Sequence, residues 1–280
     1  VTPDATENEA MVTKADGTKT VYETLTEALT AAGNGDTVTL LQDVETTDRI
    51  DLPAGVTLDG QDHKLTLKTD VTALGGGVFN IIKNNVTIKD LTIEAGTNAK
   101  YGVQFYGDIT GKLDNVTING GTFAAVNVNG ADVTIENSTL KPNVDAGAYT
   151  NIDYSMGSSV TTVPKVTVTG TITYDETKPL VHADQDAMKG VIGNTSGELT
   201  DKDKSDALTK IAENVTVEGQ KMVLTDEGTV ISKANYQPSE LKTDIAEKTF
   251  IAGSDEWVEF TFTTVANDDA GVWVYGGSDL

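Results

Sequence analysis

One short phrase recurs along this chain: a polar residue followed by a triplet centred on threonine. It stands at Lys64 before Leu65-Thr66-Leu67, at Asp90 before Leu91-Thr92-Ile93 and at Asn115 before Val116-Thr117-Ile118. Asn137 before Ser138-Thr139-Leu140 and Lys165 before Val166-Thr167-Val168 complete the series, in steps of 26, 25, 22 and 28 residues. Strand-forming triplets at that spacing are too short to bury an apolar face alone. Each must stack on its neighbours, which makes a solenoid. A second register shares the period: Phe79-Asn80-Ile81, Val103-Gln104-Phe105, Val126-Asn127-Val128 and Thr150-Asn151-Ile152 follow in steps of 24, 23 and 24. A third comprises Val56-Thr57-Leu58, Val86-Thr87-Ile88 and Val133-Thr134-Ile135, each preceding a copy of the first. Three short strands per coil, stacked parallel at ~4.8 Å, predict roughly seven or eight coils between Val38 and Val217.

Composition suits a thin, repetitive core, because hydrophobic residues make up 38% of the chain and aromatic residues only 6%. Thr24 and Glu27 have capping-box spacing, and Leu25, Ala28, Leu29 and Ala32 fall on one helical face. A helix placed there, ahead of the first strand, can plug the open end of a solenoid. A second helix is expected from Thr200 to Glu213. Beyond Gln237-Pro238 the texture changes, and strands over 258–265 and 271–275 read as a hairpin. The expected organisation is a flexible segment over 1–20, a solenoid with its cap helix over 21–235 and a small β-rich module over 236–280.

A formal charge of −23, with Arg49 the sole arginine, repels phosphate backbones, so nucleic acid is excluded as a partner class. The absence of cysteine removes disulfides, zinc thiolates and thiol nucleophiles. No apolar run approaches the ~20 residues needed for membrane insertion as a helix.

Val86-Thr-Ile-Lys-Asp-Leu-Thr-Ile93 and Leu113-Asp-Asn-Val-Thr-Ile118 resemble coils of the right-handed parallel β-helices of the pectate-lyase-like superfamily. Tyr22-Glu-Thr-Leu-Thr-Glu-Ala28 followed by Gly35-Asp-Thr-Val-Thr-Leu40 is similar to the cap and first coil of β-helix regions in bacterial surface proteins. The resemblance spans roughly residues 20 to 230. It implies an all-β, right-handed parallel β-helix with an N-terminal α-helical cap, and an extracellular or cell-surface setting.

Enzymes of that superfamily act on polysaccharides, but their motifs are incomplete here. The calcium lyases pair an acidic cluster with a basic proton acceptor, whereas Arg49 precedes the first full coil. The hydrolases use Asn-x-Asp with Gly-His-Gly and Arg-x-Lys; only Asn151-Ile152-Asp153 is present, so no catalytic residue is assigned. Asp90, Asn115 and Asn137 would occupy one corner of successive coils as a turn ladder, with calcium the one ion such acidic columns could hold. His182, Asp184 and Asp186, or Asp201, Asp203 and Asp206, are two further metal candidates, but both lack the glycine and distal glutamate of a calcium hand and read as surface acids, so no metal ligand is assigned.

The residues best suited to a ligand are the amides of the second register, Asn80, Gln104, Asn127 and Asn151. Strand alternation should turn them outward, flanked by Tyr106, Asn129, Tyr149 and Asp153. Amides bond sugar hydroxyls in both directions and tyrosine rings stack on sugar faces. The expected function is non-catalytic adhesion or binding of a polysaccharide or cell-surface glycan. The alternatives are a polysaccharide lyase or hydrolase with an unrecognised site, and a structural spacer.

Overall fold

The computed structural model describes residues 8–193 and 197–218 in full, and the backbone of the strands Lys221–Leu224, Thr229–Lys233, Leu241–Thr243 and Phe262–Thr264. The chain divides into two units, Val1–Ser232 and Lys233–Leu280. Within the second, Leu241–Thr243 pairs antiparallel with Phe262–Thr264. The rest of the hairpin expected over 258–275 lies outside the described residues.

The first unit is a parallel β-solenoid of about six turns. Its first face stacks Thr57–Asp59, the leading halves of Val86–Gly96 and Thr110–Gly120, Asp132–Glu136, Lys165–Thr169 and Val215–Val217. The second stacks Val44–Thr46, Lys64–Leu67, the trailing halves of the two long strands, Thr139–Lys141 and Thr173–Tyr174. The third stacks Ile50–Asp51, Leu74–Ile81, Ala99–Tyr106, Val126–Asn129, Ile152–Ser155 and Val181–Ala183. Ile88, Leu113, Ile135, Phe79, Phe105 and Tyr154 point into the shared core and are fully buried. Fewer turns form than the repeat suggests, because long excursions and two helices separate the last strands.

The turn between the first and second faces is the ladder expected from the sequence. Asp90, Asn115 and Asn137 hold left-handed φ values of 50°, 54° and 49°, and Gly170 continues the column at 66°. The Asn115 amide donates to Asp90 Oδ1 at 2.7 Å, and Asn137 Oδ1 accepts from the Thr171 N–H at 3.2 Å. Asp and Asn tolerate this backbone and bond locally across coils. Asn115→Ala is expected to cost about 1–2 kcal/mol, losing the bond while keeping the strain. Asn115→Gly should cost less, since glycine removes the strain. Urea unfolding of both checks this, and equal losses would contradict a role for the left-handed backbone.

Threonines 92, 117 and 139 stack as the phrase predicts, but its first and last copies do not. Lys64 lies beside Thr92, and Thr66 beside Glu94. The last copy, Val166-Thr167-Val168, stacks on Val133-Thr134-Ile135 of the first face instead. A shift of two residues keeps every side chain on its own face, so the apolar pattern carries no trace of it.

The start of the chain differs from the flexible segment expected over 1–20. Ala10–Thr13 and Lys19–Tyr22 form an antiparallel hairpin whose first strand pairs with Thr37–Leu40. Ala10 and Val12 are fully buried, so this hairpin covers the open edge of the first face. Helix α1, Leu25–Ala31, has the predicted Thr24–Glu27 capping box and buries Leu25, Ala28 and Leu29. Asp36 ties these pieces together: its carboxylate accepts from Lys14 Nζ at 2.8 Å and from the Gly33 N–H at 2.7 Å. These bonds hold its carboxyl below the usual carboxylate range. At the other end, α2 (Gln185–Ile192) and α3 (Asp201–Glu213) lie between Val181–Ala183 and Val215–Val217 in the chain, and α3 begins at the predicted Thr200.

Candidate ligand-binding face

The outward row of the third face is built from in-register neighbours on successive coils. Asp51, Asn80, Gln104, Asn127, Asp153 and His182 follow one another along it. Asn151 is not a member, which corrects the sequence alignment by two residues. It is fully buried where the chain turns into the third face. There its amide donates to the Asp175 and Pro179 carbonyls at 2.9 and 3.0 Å and accepts from the Asp175 N–H at 3.0 Å. All of these partners are backbone groups, so Asn151 is a clamp on the coil.

The row is also less open than alternation implies. Asn80 and Gln104 are half-buried, but Asn127 is only 2% exposed and Asp153 4%. Tyr101 supplies the cover, with its hydroxyl donating to Asp153 Oδ2 at 2.7 Å. A β-bulge at Gly102 and Val103 allows this, and a second one interrupts the next coil. The N–H groups of Gly102 and Val103 both donate to the Ala125 carbonyl, and those of Ala125 and Val126 both donate to that of Asn151. Each bulge breaks the strand alternation. Tyr101 therefore comes to the outside although Val103 and Phe105 point inward.

Asp153 is the hub of the covered half. Its Oδ2 also accepts from the Asn127 amide at 2.8 Å, and that amide donates to the Ser155 hydroxyl oxygen at 2.8 Å as well. Asn127 in turn accepts from the Gln104 amide at 3.2 Å. Burial pushes the Asp153 carboxyl above its ordinary value, against the pull of the Tyr101, Ser155 and Tyr149 hydroxyls, and the charge of Asp184 adds to the rise. Burial, then the neighbouring Asp153 charge, pushes the phenols of Tyr101 and Tyr149 up as well.

Beside the polar row runs a ladder of rings that sequence reading captured only at Tyr149. Tyr101 and Phe123 meet edge to face at 6.0 Å, as do Tyr149 and His182 at 5.3 Å, while Phe123 and Tyr149 are tilted by 55° at 5.8 Å. Phe123 is 38% exposed, and Lys100 Nζ lies 4.7 Å from its ring centre. His182 Nδ1 is buried without a hydrogen-bond partner. The signal was available in the sequence, since aromatic residues recur at 101, 123 and 149 with the coil period.

Tyr106 and Asn129 stand two residues beyond Gln104 and Asn127, in register with each other. Tyr106 bonds through its hydroxyl to Ser159, and Asn129 Oδ1 accepts from the Gly157 N–H at 2.9 Å. Both pin the loop after Ser155 and leave it at the margin of the face.

The two metal candidates resolve into helix caps. Asp184 Oδ1 accepts from the Ala187 N–H at 2.8 Å at the start of α2, and Asp203 forms a capping box with Thr200. Asp206 pairs with Lys202. Among the described residues, no three His, Cys, Asp or Glu side chains are placed to share an ion, and no helix is long and apolar enough to cross a membrane.

The face therefore has a covered half around Asp153 and an open half. The open half presents the Phe123 ring, the Lys100 ammonium and the amides of Gln104 and Asn80. Such a surface offers an apolar platform beside donors and acceptors for hydroxyl groups. No family model, curated protein or solved structure matches this chain.

Proposed function

We propose that this chain is a non-catalytic protein of the bacterial extracellular or cell-surface space that holds a saccharide on the third face of its solenoid. Its coil sequences resemble those of the pectate-lyase-like β-helices, which supports this reading. The observation that carries the reading is Phe123, an exposed ring held between Tyr101 and Tyr149 with the Lys100 ammonium over it, just ahead of the third-face strand Val126–Asn129. Sugars bind such sites through C–H contacts with the ring and hydroxyl bonds to the amides. Asp153, the buried carboxylate of the face, is engaged by Tyr101 and Asn127, which fits a structural role better than proton transfer.

Glycan-array binding together with reducing-sugar release from pectin, alginate and mixed polysaccharides tests the proposal. Binding without release is expected. Phe123→Ala should weaken it about tenfold, the equivalent of roughly 1.4 kcal/mol, with little change in thermal stability. Oligosaccharide release by the purified chain would overturn the non-catalytic reading. A spacer is favoured instead by the self-pairing of Gln104, Asn127 and Asp153. Absence of any glycan binding would select it.

A further inference from the structure

Around the corner from Phe123, on the second face, lies a polar groove of about 580 Å³. Its wall is an outward column in register: Glu94, Asn119 and Lys141 stand side by side on consecutive coils. Two loops close its far end and bring Asp145 and Asp175 to the lining. Gly96 also lines it, and nothing lies within 4 Å of the position its Cβ would take, so ligand atoms can approach bare backbone there. Phe123 follows Gly120 by three residues, and its N–H bonds to the Lys100 carbonyl on the coil below. One turn of chain thus links the groove to the aromatic platform.

The groove has convergent polar groups with unused capacity. The Asn119 amide donates to Glu94 Oε1 at 3.1 Å, leaving its carbonyl oxygen for a ligand. Lys64 lies 3.5 Å from Glu94 and offsets part of its charge. Neither Lys141 nor Asp145 has an ion-pair partner among the described residues. Three carboxylates against the ammonium of Lys141 leave the lining negative.

We propose that this groove is a second saccharide subsite, continuous with the Phe123 face, and that it takes an amine-bearing sugar unit. Ring hydroxyls meet Asn119 and Lys141, and the ammonium meets the carboxylates of Glu94 and Asp145. The same charges repel a uronate. The inference rests on saccharide binding at the third face and adds the chemical class of the ligand.

Calorimetric titration with three probes of equal length tests it: a β-1,4-glucosamine oligomer, a cello-oligosaccharide and an oligogalacturonate. The glucosamine oligomer should bind roughly threefold to tenfold tighter than the neutral one, as expected for one or two exposed charge pairs. The oligogalacturonate should bind weakest, and the spread should narrow as salt is raised. The double variant Glu94→Gln, Asp145→Asn should abolish the preference for the amine and leave cello-oligosaccharide affinity within twofold. The control Asp16→Asn, Asp186→Asn removes two charges elsewhere and should leave the preference intact.

A preference that survives the groove variant, or falls equally in the control, assigns the effect to the overall charge of the chain and overturns the subsite. Neutral binding that is lost in Phe123→Ala but indifferent to amine or carboxylate keeps the third-face proposal and removes this one. Failure of all three probes to bind removes both.

Discussion

Asp153→Ala is expected to be among the most destabilising single substitutions in the solenoid, at about 3–5 kcal/mol. The carboxylate accepts from the Tyr101 hydroxyl and the Asn127 amide, in a region where Tyr101 is 7% exposed and Asn127 2%. Truncation strands these donors away from water, at about 1–3 kcal/mol for each one left unsatisfied. Asp153→Asn retains an acceptor oxygen for Tyr101 and Asn127 and should cost much less. Denaturant unfolding of the two variants separates these cases, and near-equal losses would show that Asp153 matters by volume alone.

The same pair carries a pH signature. Burial raises the native carboxyl of Asp153 above its unfolded value, near ~3.9. Between those two values the folded chain holds more protons than the unfolded chain. Stability contributed by this group therefore falls as pH rises through that interval. Asp36 and Asp90, whose carboxyls are held low, act oppositely: their stabilisation is present above the unfolded value and is lost as pH falls through their native values. Both carboxyls are present in wild type and in Asp153→Asn, so their effect cancels in the comparison. The unfolding midpoint of wild type relative to Asp153→Asn should rise on acidification from pH 7 towards 4. A flat difference would mean that burial does not bind the proton.

The second large effect is expected at Gly120. Its φ of 103° is left-handed, and a Cβ built there lies 2.4 Å from Gly96 N and 2.7 Å from Gly96 O. Those atoms are backbone of the adjacent coil and cannot rotate aside. Accommodating alanine would separate the coils where Gly121 donates to the Gly96 carbonyl at 3.0 Å. Strain of about 1–2 kcal/mol and overpacking of about 1–3 kcal/mol add to roughly 2–5 kcal/mol. Gly107 is the control, because its φ of 99° is similar and nothing lies within 4 Å of its Cβ position. Gly107→Ala should show the strain alone. Equal destabilisation of the two variants would remove the clash between coils from the account.

Much of this architecture was legible in the residues. The threonine-centred triplets and the Phe79, Val103 and Val126 register specify three faces, because alternation has a period of two and any one-residue slip would expose the core. The Thr24–Glu27 box and the Asp90, Asn115, Asn137 corner were equally readable, since capping and left-handed turns depend on neighbours in sequence. The hairpin over Ala10–Tyr22 escaped notice because its second strand is exposed and lacks alternation. Helix α2 was hidden behind acids that had a second meaning as ligands. The site was legible only in part. Asn80, Gln104 and Asn127 were placed on the right row, while Asn151 stood in for Asp153 across the slip of two that alternation cannot detect.

By itself, the amino-acid sequence determined the coil, its faces, its first corner and its cap helix, all of which follow from short-range periodicity. Tertiary structure alone decided which coil meets which residue. The Tyr101–Asp153 bond joins positions 52 apart and exists because the bulge at Gly102 and Val103 turns Tyr101 outward. Bulges and excursions change the stacking register without changing local preference, and the candidate ligand-binding face is assembled from that register.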